Sequence, residues 1–277
     1  MSIWERFERI NPRYIFLLMF IVLILPMIRP IGLPVYITPL TQALYDWVEE
    51  LPPGSVVLFD AAYAPGSAAE IEPTMRALLH QCFQNDVKVV QMAQWELGAL
   101  HSADVINEMA ELYGKEYGVD YATVGWRAGA ENWFIALRDD FIGAMTATDM
   151  AGNDLRAMPL TRDLVGVQPQ YFDGVVCFAS GNPGVDDWVT YNPNMSLFVQ
   201  ATAVQVPTYM RFVETGQIEA LLSGQSGGAQ YEQLVGELGE ASRLMDPQGA
   251  GHLLIITLMV LGNIAYIVNR RKRAASS

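Results

Sequence analysis

The residues best suited to bind a small molecule follow short apolar runs in the middle of the chain, at the points where those runs end. The first run, SVVLFD at positions 55–60, ends on an aspartate, and a tyrosine follows it three residues later. If such runs are parallel strands, their carboxyl ends meet at one edge of a sheet, where α/β proteins bind ligands. We therefore predict a small-ligand cleft formed by Asp60, Tyr63, Glu96, Trp126, Arg127, Ser180 and Asn182.

The loops that carry these residues also have an ordinary structural interpretation. Glycine, serine and asparagine are the usual residues of turns between strands and helices. Arg127, the one basic residue in the predicted set, suits either a ligand carboxylate or a surface ion pair. The sequence leaves both interpretations open.

A second pattern, GQSGG at positions 224–228, matches the GxSxG sequence of a serine nucleophile. That chemistry needs a buried strand before the serine and a histidine base beside it. Residues 216–223 have the composition of a helix, and the one later histidine, His252, borders the apolar C-terminal segment. We therefore predict a turn between two helices, in which Ser226 is not catalytic.

The sequence predicts no cofactor and no metal ion. It contains neither the GxGxxG pattern of dinucleotide sites nor a GxxxxGK[ST] phosphate loop. His80 and Cys82 are two residues apart on a predicted helix and so point to different faces. Cys82 and Cys177 both lie in apolar patterns typical of small buried side chains, although export from the cytoplasm would permit a disulfide between them.

The elements that must position the predicted cleft alternate regularly between strand and helix. Apolar runs of strand length are separated by segments with apolar residues at helical spacing, which is the pattern of a parallel sheet covered by helices. We predict a three-layer, Rossmann-like α/β domain with a doubly wound, mostly parallel sheet. Its expected strands are residues 55–60, 87–92, 119–124, 174–178 and 197–206.

Both ends of the chain are strongly apolar, which accounts for much of its 51% hydrophobic content. We predict transmembrane helices at residues 14–32 and 249–269, the second entered through a flexible joint at 247–251. Basic residues cluster in the tips, 1–13 and 270–277, so the positive-inside rule places both in the cytoplasm. The prediction is a two-pass protein of the cell membrane, in contact with the lipid bilayer, with an extracytoplasmic domain at residues 33–248.

The charge of the central region excludes one class of partner. Residues 30–252 contain nine basic and 28 acidic side chains, a formal charge of −19. Such a surface repels phosphate backbones, so the sequence predicts no binding of nucleic acid.

Function is predicted less sharply than architecture. Gly262 and Asn263 place a small and a polar residue together in the second apolar segment, which suits contact with another membrane helix. We predict a non-catalytic interaction or assembly subunit, joined to other membrane subunits or to copies of itself. The alternatives are a sensor domain that binds a small-molecule ligand and, less favoured, a membrane-bound hydrolase.

Two segments add a resemblance. Residues 113–121, YGKEYGVDY, and residues 215–235, TGQIEALLSGQSGGAQYEQLV, resemble an uncharacterised family of prokaryotic membrane proteins. In that family an α/β domain lies between two transmembrane anchors. The resemblance implies this architecture and attaches no activity to it.

Overall fold

The computed structural model describes residues 10–29, 31–145 and 147–275, and the side chains of 130, 131 and 272–275 are not among those described. The chain divides into two compact units, Val35–Ala241 and the pair of terminal segments Met1–Pro34 and Ser242–Ser277. The first unit is an α/β domain. The second contains the two apolar helices.

The described residues form six strands and ten α-helices. The strands are β1 (Val56–Ala62), β2 (Lys88–Ala93), β3 (Tyr121–Trp126), β4 (Gly174–Ala179), β5 (Leu197–Ala201) and β6 (Ala220–Ser223). The helices are α1 (Pro12–Ile28), α2 (Pro39–Glu50), α3 (Ala68–Gln84), α4 (Glu96–Tyr113), α5 (Ala130–Asp139), α6 (Phe141–Ala144), α7 (Val185–Tyr191), α8 (Val206–Glu214), α9 (Gly224–Val235) and α10 (Glu240–Ala275). Short 3₁₀ turns occur at Pro65–Ser67, Arg162–Leu164 and Pro169–Tyr171.

All six strands are parallel and lie in the order β3-β2-β1-β4-β5-β6. Successive strand residues point to opposite faces, and both faces are covered, as a fully parallel sheet requires. Val57 and Phe59 of β1 pack in one core with α2, α3, α4 and α9, whereas Leu58 packs in the other with α5 to α8. The three-layer, Rossmann-like α/β prediction is confirmed, and the sheet is parallel throughout.

One strand was not expected. The composition of residues 216–223 predicts a helix, but β6 occupies Ala220–Ser223 and pairs with β5 from Phe198 to Ala201. Pairing with a neighbouring strand overrides the helical propensity of so short a segment. The predicted fifth strand also ends early, at Ala201.

The apolar spacing of residues 130–145 predicts a single helix, but the structure has two helices there. Asp140 separates α5 from α6, and its side chain accepts hydrogen bonds from Gly143 N at 2.9 Å and Gly166 N at 2.8 Å. An aspartate in extended conformation that caps the following turn starts a new helix. Cys82 lies on α3 and Cys177 in β4, and both are free and fully buried.

The unit of apolar helices corrects the membrane prediction in part. Among the described residues, one helix is long and apolar enough to span a bilayer, over Glu240–Arg271. α1 is also apolar but has 17 residues, because the backbone leaves the helical conformation at Arg29. The predicted joint at 247–251 is also wrong, since α10 runs through Pro247 without interruption.

Asp246 of α10 binds the segment that follows α1. Its Oδ2 accepts hydrogen bonds from the backbone N–H groups of Ile31 at 2.5 Å and Gly32 at 2.9 Å, and its Oδ1 from Leu33 at 2.9 Å. Further along, a Cβ on Gly251 would lie 3.0 Å from Leu23 Cδ2. α1 and the segment after it therefore pack closely against α10.

Candidate ligand-binding cleft

The carboxyl ends of β1 and β4 lie side by side at the centre of the sheet, where the strand order reverses. Asp60 is opposite Cys177 and Ala62 opposite Ala179, and Ser180 N donates a hydrogen bond to Ala62 O at 2.9 Å. From β1 the chain crosses outward to β2, and from β4 it crosses outward to β5 on the other side. A reversal of this kind opens a crevice for ligands. The loops singled out from the sequence therefore meet at one edge.

A fully buried carboxylate, Asp60, lies at this reversal. Its Oδ2 accepts hydrogen bonds from Gln94 Nε2 and, at 2.6 Å, from Trp188 Nε1, while Cys177 Sγ lies 3.5 Å away. Its Oδ1 has no hydrogen-bond partner among the described residues. Burial raises the pKa of Asp60 to about 6, against the opposing effect of these hydrogen bonds. The site thus contains an acid that titrates close to neutral pH.

Gln94, directly after β2, connects three loops at this edge. The side-chain Nε2 of Gln94 also donates to Gly184 O at 3.1 Å, and the backbone carbonyl of Gln94 accepts from Trp126 Nε1 at 3.1 Å. The next residue, Trp95, donates from Nε1 to Pro183 O at 2.7 Å. The loops after β2, β3 and β4 are therefore held together by side-chain hydrogen bonds.

These loops and the start of α5 enclose a cleft of about 250 Å³. Two polar atoms of its lining residues are buried without a partner, the donor Trp133 Nε1 and the acceptor Gln94 Oε1. Both atoms have almost no accessible surface, so they lie behind the wall of the cleft and do not face its interior. The residues that line the cleft are Gln94, Trp126, Arg127, Ala128, Gly129, Trp133, Phe134 and Pro183.

The guanidinium of Arg127 is held at the cleft by backbone groups. Its Nη1 donates to Ala144 O at 2.8 Å and to Met145 O at 2.7 Å. None of the ion pairs between described side chains involves Arg127. Neutral carbonyls orient the guanidinium without cancelling its charge, so Arg127 remains able to attract an anion.

The structure brings part of the predicted set to the cleft. Trp126 and Arg127 line it, and Asp60 contacts it through the amide of Gln94. Ser180 and Asn182 lie in the adjoining loop after β4 but do not line the cleft, and the bond from Asn182 to Pro183 is cis.

Tyr63 and Glu96 lie elsewhere. Tyr63 is fully buried in the core formed with α3, and its hydroxyl donates to Glu72 Oε1 at 3.3 Å. Burial raises its pKa. Glu96 is exposed at the first turn of α4 and does not line the cleft.

Sequence reasoning missed residues of two kinds. Gln94 directly follows an apolar strand, as Asp60 ends one. Its position at the carboxyl end of a predicted strand could therefore have placed it in the candidate set. Trp133 and Phe134 have the helical spacing of an ordinary core face, which gave no sign that a cleft lies beside them. Trp188 similarly belongs to the buried face of α7, yet its indole nitrogen binds Asp60.

The surroundings of Ser226 differ from the prediction, because a strand precedes it. β6 leads through Gly224, whose φ is +46°, directly into α9, which is the strand–turn–helix context of a nucleophile elbow. The base is still lacking among the described hydrogen bonds. Ser226 Oγ accepts from Gln230 Nε2 at 3.3 Å, while His80 binds Tyr113.

A larger depression of about 450 Å³ lies between α3, α4 and the segment before α10. Four of its polar side chains already have partners. Arg76 Nη1 forms an ion pair with Glu108 Oε2 at 2.7 Å, and His80 Nδ1 is hydrogen-bonded to the Tyr113 hydroxyl. Glu232 accepts from the backbone N–H of Gly239, in the loop after α9, and from that of Ala241, in the first turn of α10. The smaller cleft lies beside the reversal in strand order and is lined by Arg127, which forms no ion pair with a described side chain, so it is the better ligand site.

The described residues contain no group of three His, Cys, Asp or Glu side chains that could hold a metal ion. No protein-family model, no curated protein and no solved structure matches the chain. The family resemblance of residues 113–121 and 215–235 therefore stays a prediction. Function has to be argued from the cleft itself.

Proposed function

We propose that this protein is a membrane-anchored binding domain that holds a small molecule in the cleft lined by Gln94, Trp126, Arg127 and Trp133. One observation carries the proposal: the cleft lies at the carboxyl edge of the parallel sheet, beside the reversal in strand order, and is lined by Arg127, whose guanidinium is held by neutral backbone carbonyls. Apolar walls with a few fixed polar groups are the usual composition of a ligand pocket.

Binding without chemistry fits the cleft better than catalysis. Its described lining contains no serine, cysteine or histidine, and Asp60 binds the amide of the lining residue Gln94 and does not itself line the cleft. A nucleophile with a base in hydrogen-bond reach is the minimum that covalent catalysis requires. A sensor or binding protein needs only complementary contacts.

Substitutions that fill the cleft test this proposal. Ala128 lines the cleft, so Ala128→Phe should block it, whereas Ala157→Phe makes the same change at an exposed position. Ligand-observed NMR on the full chain in nanodiscs, with a mixture of amino acids, organic acids, sugars and nucleobases, should detect a ligand that Ala128→Phe releases and Ala157→Phe retains. Absence of any ligand, or equal binding by both variants, would refute the proposal.

We further propose that α10 and α1 both cross the membrane and that the α/β domain lies outside the cytoplasm. Support comes from the apolar length of α10, its attachment to the segment after α1, and the basic tips of the sequence. Asp163→Cys places a thiol at a 66% exposed side chain, while Cys82 and Cys177 are fully buried and should stay unlabelled. Labelling of Asp163→Cys only after cell lysis would overturn this orientation.

A second function, assembly in the membrane plane, is favoured by one observation. Asn263 is exposed on α10, and a Cβ on the neighbouring Gly262 would meet no atom within 4 Å. A polar side chain in lipid gains from a partner helix. Native mass measurement after mild extraction should find a complex, with copies of the chain or other subunits, that Asn263→Leu weakens. A monomer in both proteins would remove this function.

A further inference from the structure

We infer that the α/β domain has a second binding surface, at which a partner protein inserts a basic side chain between apolar contacts. The surface combines a groove of about 410 Å³ beside α4 (the α4 groove) with exposed apolar side chains around it. It takes a protein and so goes beyond the small-molecule function of the cleft. The lining of the α4 groove includes Leu100, Asp104, Tyr117, Tyr121, Met150 and Asn153.

Four large apolar side chains are exposed around the start of α4. Leu97 and Leu100, three residues apart, share one face of the helix, and each is 50% exposed. The exposed Trp126 donates from Nε1 to the backbone just before α4, and Met150 lies over Gly125, where a Cβ would be 2.7 Å from its Cγ. Leu100 and Met150 line the α4 groove, whereas Leu97 and Trp126 lie outside it. An apolar area that extends beyond a cavity is typical of a surface that binds a protein.

The α4 groove is acidic, and its described lining contains no basic residue. Asp104 is exposed in the groove and forms no ion pair with a described side chain. Asp149 lies behind the wall, where it accepts hydrogen bonds from the Tyr117 hydroxyl and from Asn153. Burial raises the pKa of Asp149, but these hydrogen bonds lower it by more, so this carboxylate is ionised at neutral pH. Two negative charges without a described cation favour a basic side chain in the groove.

Charge complementarity decides between the possible occupants of this surface. Residues 30–252 contain nine basic and 28 acidic side chains, so a second copy of this chain would bring its own acidic surface against Asp104. A small organic cation would fill the groove but leave Leu97 and Trp126 exposed. A partner segment with one basic residue between apolar ones complements both the groove and the apolar area around it.

The test titrates two peptides into the full chain in nanodiscs of phosphatidylcholine, whose surface carries no net charge, and follows binding by ligand-observed NMR. The first is a capped pentapeptide with one arginine between leucine residues. The second has citrulline in place of the arginine and so differs by the charge alone. The arginine peptide should bind, and the citrulline peptide should bind roughly 2- to 5-fold more weakly, as expected for the loss of one partly exposed ion pair.

Two pairs of variants separate the charge from the apolar contacts. Asp104→Asn keeps the shape of the side chain and should remove most of the preference for arginine over citrulline. Asp139→Asn, which removes a charge from a 73% exposed side chain outside the groove, should keep that preference. Leu100→Ser should weaken both peptides roughly 3- to 10-fold through lost apolar contact. Leu112→Ser is its matched control, because Leu112 is exposed on the same helix and does not line the groove.

A preference for arginine that depends on Asp104, together with weaker binding of both peptides to Leu100→Ser, supports the partner surface. No peptide binding, or a preference that Asp104→Asn leaves intact, overturns it. Arginine amide that binds as tightly as the peptide and is unaffected by Leu100→Ser would overturn it in favour of a site for small cations. A dimer of the chain that Leu100→Ser dissociates would overturn it in favour of a second copy. None of these results decides the function of the cleft, which Ala128→Phe tests separately.

Discussion

Replacing Asp60 by asparagine should remove a pH-dependent loss of stability that the buried carboxyl imposes on the α/β domain. The side chain is fully buried, and one of its oxygens has no partner among the described residues. Ionisation therefore places a charge where its solvation by water is lost. Asparagine has nearly the same shape and stays neutral at every pH.

The magnitude follows from the pKa of Asp60, which burial raises from 3.8 to about 6. A carboxyl with a raised pKa in the folded state contributes its full stability below pH 3.8, and this contribution is lost as pH rises through 6. At about 1.4 kcal/mol per pKa unit the complete loss is roughly 3 kcal/mol. About half of it falls between pH 5 and pH 8, which is measurable above the isoelectric point of 4.6.

The assay is urea unfolding of the full chain in detergent, followed by tryptophan fluorescence at pH 5, 6, 7 and 8. The free energy of unfolding of Asp60→Asn minus that of the wild type should rise by roughly 1.5 kcal/mol over this range. Taking the difference cancels the titration of all other groups. Any lost hydrogen bond to Trp188 shifts the difference by a constant and leaves its slope intact.

Asp139→Asn is the control, because its side chain is 73% exposed and the substitution reports the effect of losing one surface charge. A difference for Asp60→Asn that is flat between pH 5 and pH 8 would refute the reasoning. It would mean that folding does not hinder the ionisation of Asp60.

Three further substitutions test the fold around the cleft and the helices. Gly98→Ala would place a Cβ 2.6 Å from Ala61 O, so urea unfolding should find it destabilised by about 1–3 kcal/mol; an unchanged midpoint would contradict this close approach of α4 to β1. Asp246→Asn should speed amide hydrogen exchange at residues 31–33, since it weakens their acceptor, and unchanged protection would show that these bonds do not hold the segment. Ser226→Ala should alter neither folding nor ligand binding, and stoichiometric labelling of Ser226 by a fluorophosphonate would disprove its non-catalytic role.

The alternation of strands and helices could be predicted from the sequence, because burial on both faces of a sheet demands continuous apolar runs. Residues 55–60 and β1 differ by one or two positions at each end. β6 could not be predicted, since four residues of mixed propensity become a strand only through pairing with β5. The break at Asp140 likewise depends on backbone groups as distant as Gly166.

The sequence predicted the edge of the sheet at which the candidate cleft lies. It predicted only some of the residues that line the cleft. Parallel connections force the loops after successive strands to one edge, so Trp126 and Arg127 could be placed there in advance. Side-chain direction is a matter of packing, and the same reasoning wrongly grouped Tyr63, which turns into the core beside α3. Trp133 arrives from a helix face that the sequence marks only as apolar.

The electrostatics of Asp60 were decided by the tertiary structure alone. Its position at the end of an apolar run is visible in the sequence, but its pKa depends on complete removal from water and on donors from the loop after β2 and from α7. Local sequence fixes which elements form, because propensity and apolar periodicity act over a few residues. The burial of a side chain, the pairing of strands and the lining of a cleft depend on residues that are distant in sequence. Only folding brings these residues together.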